Sequence, residues 1–471
     1  MRQLIEHSAR DLAGAIARRE LSAVEVLGAF LDRIDAVDGA VNAITTRVPR
    51  PEAIAAARVA DAQTRAGGPL GPLHGLPIAV KDLMDVAGLP TTHGAVPYRD
   101  APPATADSML AARLRAAGAI FVGKTNTPEH GLGTLTFNDI FGPTRSPWDL
   151  SMNAGGSSGG AAAAVAARML PLADGSDSGG SLRYPAAFCG VVGLRPAPGR
   201  VPSGRPGDAW SPHGVLGPIA RDAADAGLLL SAMAGRDDRA PLSLDGDPAV
   251  FADISASDLT GVRIAWAPSA GGLPVEAEVL AVLERLREQL IAAGAEVEEI
   301  DADFFADMDD CWQIIEMLGF FEFGAADVAG YGAQMSPDLV ANVAEGGRLS
   351  AAEIVRGQAL RTEIFRRTVT LLECYDLLAT AATPVVSVPA DVRWPMEVAG
   401  TPMGRYFDWQ RLACRITVTA HPALSVPAGF SAQGFPVGIQ LVGRHRGELA
   451  LLRHAAAIEA LTGVPATAPP V

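Results

Sequence analysis

Residues 153–195 read NAGGSSGGAAAAVAARMLPLADGSDSGGSLRYPAAFCGVVGLR, and two serines of this stretch, Ser157 and Ser181, sit in glycine-rich turns twenty-four residues apart. The run AAAAVAARML between them has the composition of a helix. GGSSGG alone would read as a flexible linker, but periodic hydrophobic sequence follows both turns at once, which places them in a packed core. A phosphate loop does not fit, since neither turn ends in Gly-Lys-Ser/Thr. The dinucleotide fingerprint lacks its strand lead-in and its distant acidic partner. What the turns offer is backbone: glycine reaches conformations that a Cβ forbids, and consecutive N–H groups can converge on one oxygen. In DSGGS, the amides of Ser178, Gly179, Gly180 and Ser181 are candidates for an oxyanion hole.

A serine hydroxyl is a poor nucleophile until a base takes its proton, and none of the eight histidines lies in either turn. His74, His130 and His213 stand in loops and are assigned structural or substrate-side roles. Composition supplies the alternative. Of the 38 basic residues, 36 are arginine and two, Lys81 and Lys124, are lysine. Arginine cannot give up its proton in a protein, whereas lysine can. Lys81 closes the apolar run PIAVK, and burial there would lower its pKa from about 10.4 toward neutrality. A Ser-Lys pair is a recognised variant of the nucleophile–base arrangement.

Around these residues, strand and helix signals alternate, as in an α/β architecture. The N-terminal segment, about 1–66, reads as helical: Ser8 and Ser22 are N-cap candidates, Ser22 and Glu25 have capping-box spacing, and an alanine-rich helix is expected over 51–66. Strands are expected at PIAVKD, AIFVGKTN, VRIAWAP, EVEEI and PVGIQLVG, with helices near 108–117, across EAEVLAVLERLREQLIAAG and from Glu448 to Leu461. The catalytic core occupies about 70–220, and the Asp-, Pro- and Ser-rich stretch at about 235–260 is the expected surface excursion. The pattern persists to the end, so one large domain over 1–471 is expected. A formal charge of -15 argues against a nucleic-acid surface. The first twenty residues carry charges throughout, unlike a secretory signal, and no window nears the roughly 18 apolar residues of a membrane span. A cytoplasmic protein with no membrane partner is expected. Cys189, Cys311, Cys374 and Cys414 form no CxxC pair, and buried reduced thiols are expected rather than a zinc site.

The ordered set PIAVKD, GKTNTPE (123–129), FGPTRSPWD (141–149), GGSSGG, GSDSGGSLRYPAAFCGVVGLRP, PALSVPAGF and PVGIQLVG resembles the amidase signature family across most of the chain. That resemblance implies an α/β fold with a large, mixed and mostly parallel central sheet covered by helices on both faces. It implies Ser181 as the acylated nucleophile, Ser157 in a non-proline cis peptide as proton relay, and Lys81 as neutral base. Ser158 would hydrogen-bond the lysine, and Asp177 and Arg183 would brace the nucleophile turn. Lys124 would be scaffold, and Gly131 and Leu132 would line the substrate cleft, with glycine at 131 leaving room for a bulky acyl or aryl group. Trp210, Trp312 and Trp409 are candidate walls, with core packing as the alternative for each. No metal or organic cofactor is implied.

The implied reaction is hydrolysis of non-peptide linear amides, aliphatic or aryl, through a seryl acyl-enzyme, with carbamate (urethane) or ester cleavage by the same machinery as an alternative. A glutamine-hydrolysing component of a tRNA-dependent amidotransferase is a further alternative. Such components typically carry glutamine where this chain has Tyr184, and Tyr-Gly-Arg where it has Pro198, Gly199 and Arg200. Family precedent favours a homodimer acting on a small amide or carbamate. Ala420 departs from a common glycine, which bears on the local backbone.

Overall fold

The computed structural model describes residues 4–204 and 208–471. Its N-terminal helices begin where the hydroxyl caps stand. Ser8 Oγ accepts the Asp11 amide at the start of Ala9–Ala17, and Ser22 and Glu25 exchange side-chain to backbone bonds at the start of Ala23–Val41. Ser108 caps Met109–Ala116 in the same way. Such caps satisfy amides that have no intrahelical partner. The segment expected to be wholly helical contains a short strand, Ile44–Arg47, before the helix Arg50–Ala66. Its sequence, ITTR, is β-branched and pairs antiparallel with Ile120–Thr125, a long-range partner that overrides the helical surroundings.

Ile120–Thr125 also pairs in parallel with Pro77–Lys81, giving a three-stranded sheet whose last two strands are fully buried. Beside it lies an eight-stranded sheet in the order Glu296–Glu299, Arg263–Trp266, Leu377–Ala381, Pro436–Val442, Ala423–Phe430, Val192–Arg195, Val215–Ala220, Leu172–Asp177. The sheet is mixed and flanked by helices on both faces, but it is not mostly parallel. Only its first two ladders are parallel, and the other five run antiparallel. Alternating strand and helix signals reveal layering, not direction. Here the connection from Phe430 to Pro436 is a short turn, which can join only antiparallel neighbours. The two sheets meet where the Lys81 amide donates to Asp174 Oδ1 of the edge strand at 3.1 Å.

Two helices are packed inside. Gly159–Ala166 is buried at every residue, as is Arg183–Cys189. An alanine-rich helix buried all round suits this position, because small side chains let sheet and neighbouring helices approach its backbone closely. The stretch 235–260 mixes exposed residues with Phe251, Ile254 and Leu259, which are buried. Of the cysteines, Cys189, Cys311 and Cys414 are free and buried, whereas Cys374 is exposed at the end of its helix, contrary to the expectation for all four.

Ala420 follows the helix Arg411–Thr417 with φ +57°. A left-handed backbone costs a residue with a Cβ about 1 kcal/mol or more, partly offset by the extra freedom glycine has when unfolded. Ala420→Gly is therefore expected to leave thermal stability unchanged or to raise it, by up to about 1 kcal/mol; a clear drop in the unfolding midpoint would refute this reading of the turn.

Candidate active site

Lys81 ends its strand fully buried, with Nζ 2.7 Å from Ser157 Oγ, 2.9 Å from Ser158 Oγ and 3.0 Å from Ser176 Oγ. Burial pushes its pKa down to about 7, with Asp174 and Asp177 opposing the shift from longer range. Neither is an ion-pair partner of the amine among the described residues. Asp174 spends one oxygen on the Lys81 backbone amide and leaves the other buried without a bond, and burial pushes its own pKa up to about 6. Ser176 is not singled out by the sequence; its only signal there is its place in the GSDSGGS turn.

The Gly156–Ser157 peptide is cis. Ser158, next in the chain, donates its backbone N–H to Ser181 O at 3.1 Å, tying the two serine turns together. The second turn is organised by Asp177. Its carboxylate accepts the Gly180 and Leu182 amides at 3.0 and 3.1 Å and both Nε and Nη2 of Arg183 at 3.0 and 2.8 Å. Arg195 donates to the Asp177 carbonyl and lies 3.4 Å from its carboxylate. Burial alone would raise the Asp177 pKa, but Arg183 and Arg195 outweigh it and hold the carboxyl well below the usual range. Gly180 has φ +109°, a conformation that favours glycine, and its amide is thereby turned to Asp177. Of the amides expected to converge on an oxyanion, Gly180 is thus already engaged, whereas those of Gly179 and Ser181 have no partner among the described residues.

Ser157, Ser176, Ser178 and Ser181 open on one cavity of about 470 Å³, well within the range of small-molecule sites. Its apolar walls come largely from one face of the helix Met308–Tyr331, through Ile315, Leu318, Phe320 and Phe323, with Trp210 at the mouth. Gly131 lies in the wall with φ +77°, where a Cβ would stand 3.4 Å from Ser157 Oγ. Leu132 does not line this cavity. Its backbone is extended, so its side chain leaves on the other side, into a separate small hollow with Trp394, Tyr406 and Trp409. Trp312 and Trp409 are core residues: Trp312 is buried with its indole N–H donating to Ser178 O at 3.1 Å, and Trp409 packs edge-on against Tyr184. Tyr184 is itself buried, its hydroxyl donating to Trp409 O at 2.9 Å.

The three histidines divide. His74 is structural, bonded to Thr64 and Ala60 below the surface. His130 lines the cavity, stacked on His93. His213 also lines it and is paired with Glu316 at 2.5 Å, a contact that sequence spacing could not reveal because 103 residues separate the two. Among the described residues no set of His, Cys, Asp and Glu gathers as metal ligands, and no helix is long and apolar enough to cross a membrane.

Lys124 contrasts with Lys81. It is equally buried but ion-paired with Asp82 at 3.1 Å and bonded to Thr91 Oγ1 at 3.0 Å. Burial lowers its pKa, and Asp82 opposes that. Lys124→Met strands Asp82 in the interior and is expected to cost about 3 kcal/mol or more, read as a lower denaturation midpoint. An unchanged midpoint would contradict this scaffold reading.

Known proteins resemble this chain in both sequence and fold. The sequence profile of the family described as Amidase matches residues 25–452. An acylamidase of Rhodococcus erythropolis is 38% identical, over 96% of this chain and 95% of its own. A glutamyl-tRNA(Gln) amidotransferase subunit of Salinispora tropica is 36% identical over 98% and 99%. Among solved structures, a bacterial aryl acylamidase of the amidase signature family superposes with a TM-score of 0.89 at 29% identity, over 98% of this chain and 99% of its own. With the match spanning nearly the whole chain, this protein belongs to the amidase signature family and is a hydrolase acting on carbon–nitrogen bonds.

Proposed function

We propose that the chain hydrolyses linear, non-peptide amides, aliphatic or aryl, through a seryl acyl-enzyme formed on Ser181. The observation that carries this reading is the buried amine of Lys81 with three hydroxyls around it and no carboxylate at ion-pair distance among the described residues. A neutral amine has two N–H groups and one lone pair. It can donate to Ser158 and Ser176 while the Ser157 hydroxyl donates into the lone pair. Ser157 is then the relay: it passes its proton to Lys81 as it takes one from Ser181, and Ser181 attacks the carbonyl. The carbonyl oxygen becomes an oxyanion, met by the amides at Ser178, Gly179 and Ser181. Gly180 contributes by shaping the turn through its bond to Asp177, and Arg183 holds Asp177. The proton returns through Ser157 to the leaving amine, and water repeats the sequence on the acyl-enzyme to release the carboxylate.

The apolar cavity beside Ser181, with Phe320, Phe323 and Trp210, supports an aryl or aliphatic group on the substrate. The acylamidase relative and the aryl acylamidase fold neighbour support the same class. Esters would pass through the same kind of acyl-enzyme, and carbamates through a carbamoyl or alkoxycarbonyl ester of Ser181. The similarity to the amidotransferase relative favours a second reading, glutamine hydrolysis within a larger assembly; glutamine as sole substrate of a co-purifying complex would establish it in place of the first.

The test is amine and acid release from a panel of aliphatic amides, anilides, aryl carbamates, esters and glutamine, with Ser181→Ala as blank. Turnover of anilides that survives in Ser181→Ala would sink the proposal. Because the neutral lysine is the working form, protonation below its pKa removes the base: kcat/KM should rise with pH through about 7 and level off above it. Lys81→Arg puts a permanent charge in place of the neutral amine and loses the base, and should lose about a hundredfold or more in kcat. An acid-side limb near pH 5 that Lys81→Arg leaves unmoved would contradict the assignment.

A further inference from the structure

The peptide units of the turn from Ser178 to Leu182 are each held by a bond from outside the unit. The Gly180 amide is spent on Asp177 at 3.0 Å, and the Leu182 amide on the same carboxylate at 3.1 Å. The Gly180 carbonyl accepts the Tyr184 amide at 2.8 Å, and the Ser181 carbonyl accepts the Ser158 amide at 3.1 Å. That leaves the Ser178–Gly179 peptide. Its carbonyl has one donor among the described residues, the indole N–H of Trp312 at 3.1 Å, which reaches it from 134 residues further along the chain. Trp312 is 2% exposed, and its ring lies edge-on to Phe407 and beside Gly179, where a Cβ would stand 3.2 Å from Trp312 Cζ2.

A trans peptide carries its C=O and its N–H on opposite sides. The Ser178–Gly179 bond is trans, so the hold of Trp312 on Ser178 O turns the Gly179 N–H the other way. Ser178 and Ser181 line the cavity and Trp312 does not; the direction away from the indole is the direction of the cavity, and the Gly179 amide has no partner among the described residues. Glycine makes this orientation conditional. With no Cβ at 179 or 180, the peptide can rotate through conformations closed to other residues, and a carbonyl robbed of its donor in this buried place would turn to find another. Resting on the amidase reading, we propose that Trp312 is a positioning residue for the reaction: its indole N–H fixes the Ser178–Gly179 peptide so that the Gly179 amide meets the oxyanion formed at Ser181. The benefit of such a bond falls on the transition state, where the charge develops, and not on substrate binding.

Two replacements in the full chain separate the bond from the packing. Trp312→Phe removes the N–H and part of the ring, whereas benzothienylalanine in place of Trp312 removes the N–H and keeps both fused rings. With 4-nitroacetanilide as substrate, each is expected to lower kcat by about tenfold or more while KM moves by less than about threefold. A pair of inhibitors supplies the second readout. Phenethyl trifluoromethyl ketone takes Ser181 Oγ onto its carbonyl carbon, the hydroxyl proton passing through Ser157 to Lys81, and the ketone oxygen becomes an oxyanion; phenethyl methyl ketone binds unreacted. The preference of the wild type for the trifluoromethyl ketone is expected to fall by about tenfold or more in both variants, with binding of the methyl ketone unchanged. Both ketones weakened together, or kcat unchanged in the benzothienylalanine protein, would overturn the proposal. Where Trp312→Phe folds poorly, the benzothienylalanine protein decides. If no amide turns over, the amidase reading fails by itself, and the ketone preference still decides the role of Trp312; equal binding of the two ketones by the wild type would reject that role as well.

Discussion

The proposed chemistry depends on keeping one amine, that of Lys81, buried and uncharged. A lysine in water is protonated at neutral pH and can only donate. Placing Lys81 at the end of a fully buried strand removes the water that would stabilise its charge, and the chain supplies hydroxyls at 2.7 to 3.0 Å in place of a carboxylate. Hydroxyls satisfy the neutral form as well as the charged one, so the desolvation cost is not repaid by an ion pair and the proton is held weakly. Lys124 shows the other outcome with the same residue type: given Asp82 as partner, its amine is a strut rather than a base.

The second requirement is a serine turn that does not move. Asp177 accepts from two backbone amides and from Arg183, and Arg183 in turn reaches Ala413 O, Gln440 and Thr417 Oγ1. The carboxylate is thereby locked to the helix Arg183–Cys189 on one side and to Arg411–Thr417 on the other. A buried carboxylate with this many partners is charged and well placed. Its negative charge also falls on Lys81 from a distance, which tempers the fall in the amine's pKa without pairing with it.

Much of this was legible in the sequence because it is local. Caps at Ser8 and Ser22, the buried strand ending at Lys81 and the two glycine turns all follow from residues adjacent in the chain. What was not legible is set by folding at long range. The antiparallel direction of most of the large sheet depends on which strands meet. Leu132 turns away from the cavity because its backbone is extended directly after a left-handed glycine. Trp312 and Trp409 carry the composition of a binding wall yet are consumed by the core, while Trp210, with no different local pattern, reaches the cavity. Ser176 and the His213–Glu316 pair join the site from three separate stretches, and no spacing rule connects them.

Since Lys81 and Lys124 are the only lysines of the chain, the protonation of the proposed base can be observed without separating it from a crowd of signals. The decisive measurement is a pH titration by NMR of protein labelled with ¹³C at lysine Cε, assigned by the signal that disappears in Lys81→Arg. The account predicts that the Lys81 resonance shifts with a midpoint near pH 7. A Lys81 amine that remains charged to pH 9 or beyond would contradict the claim that this lysine serves as the base.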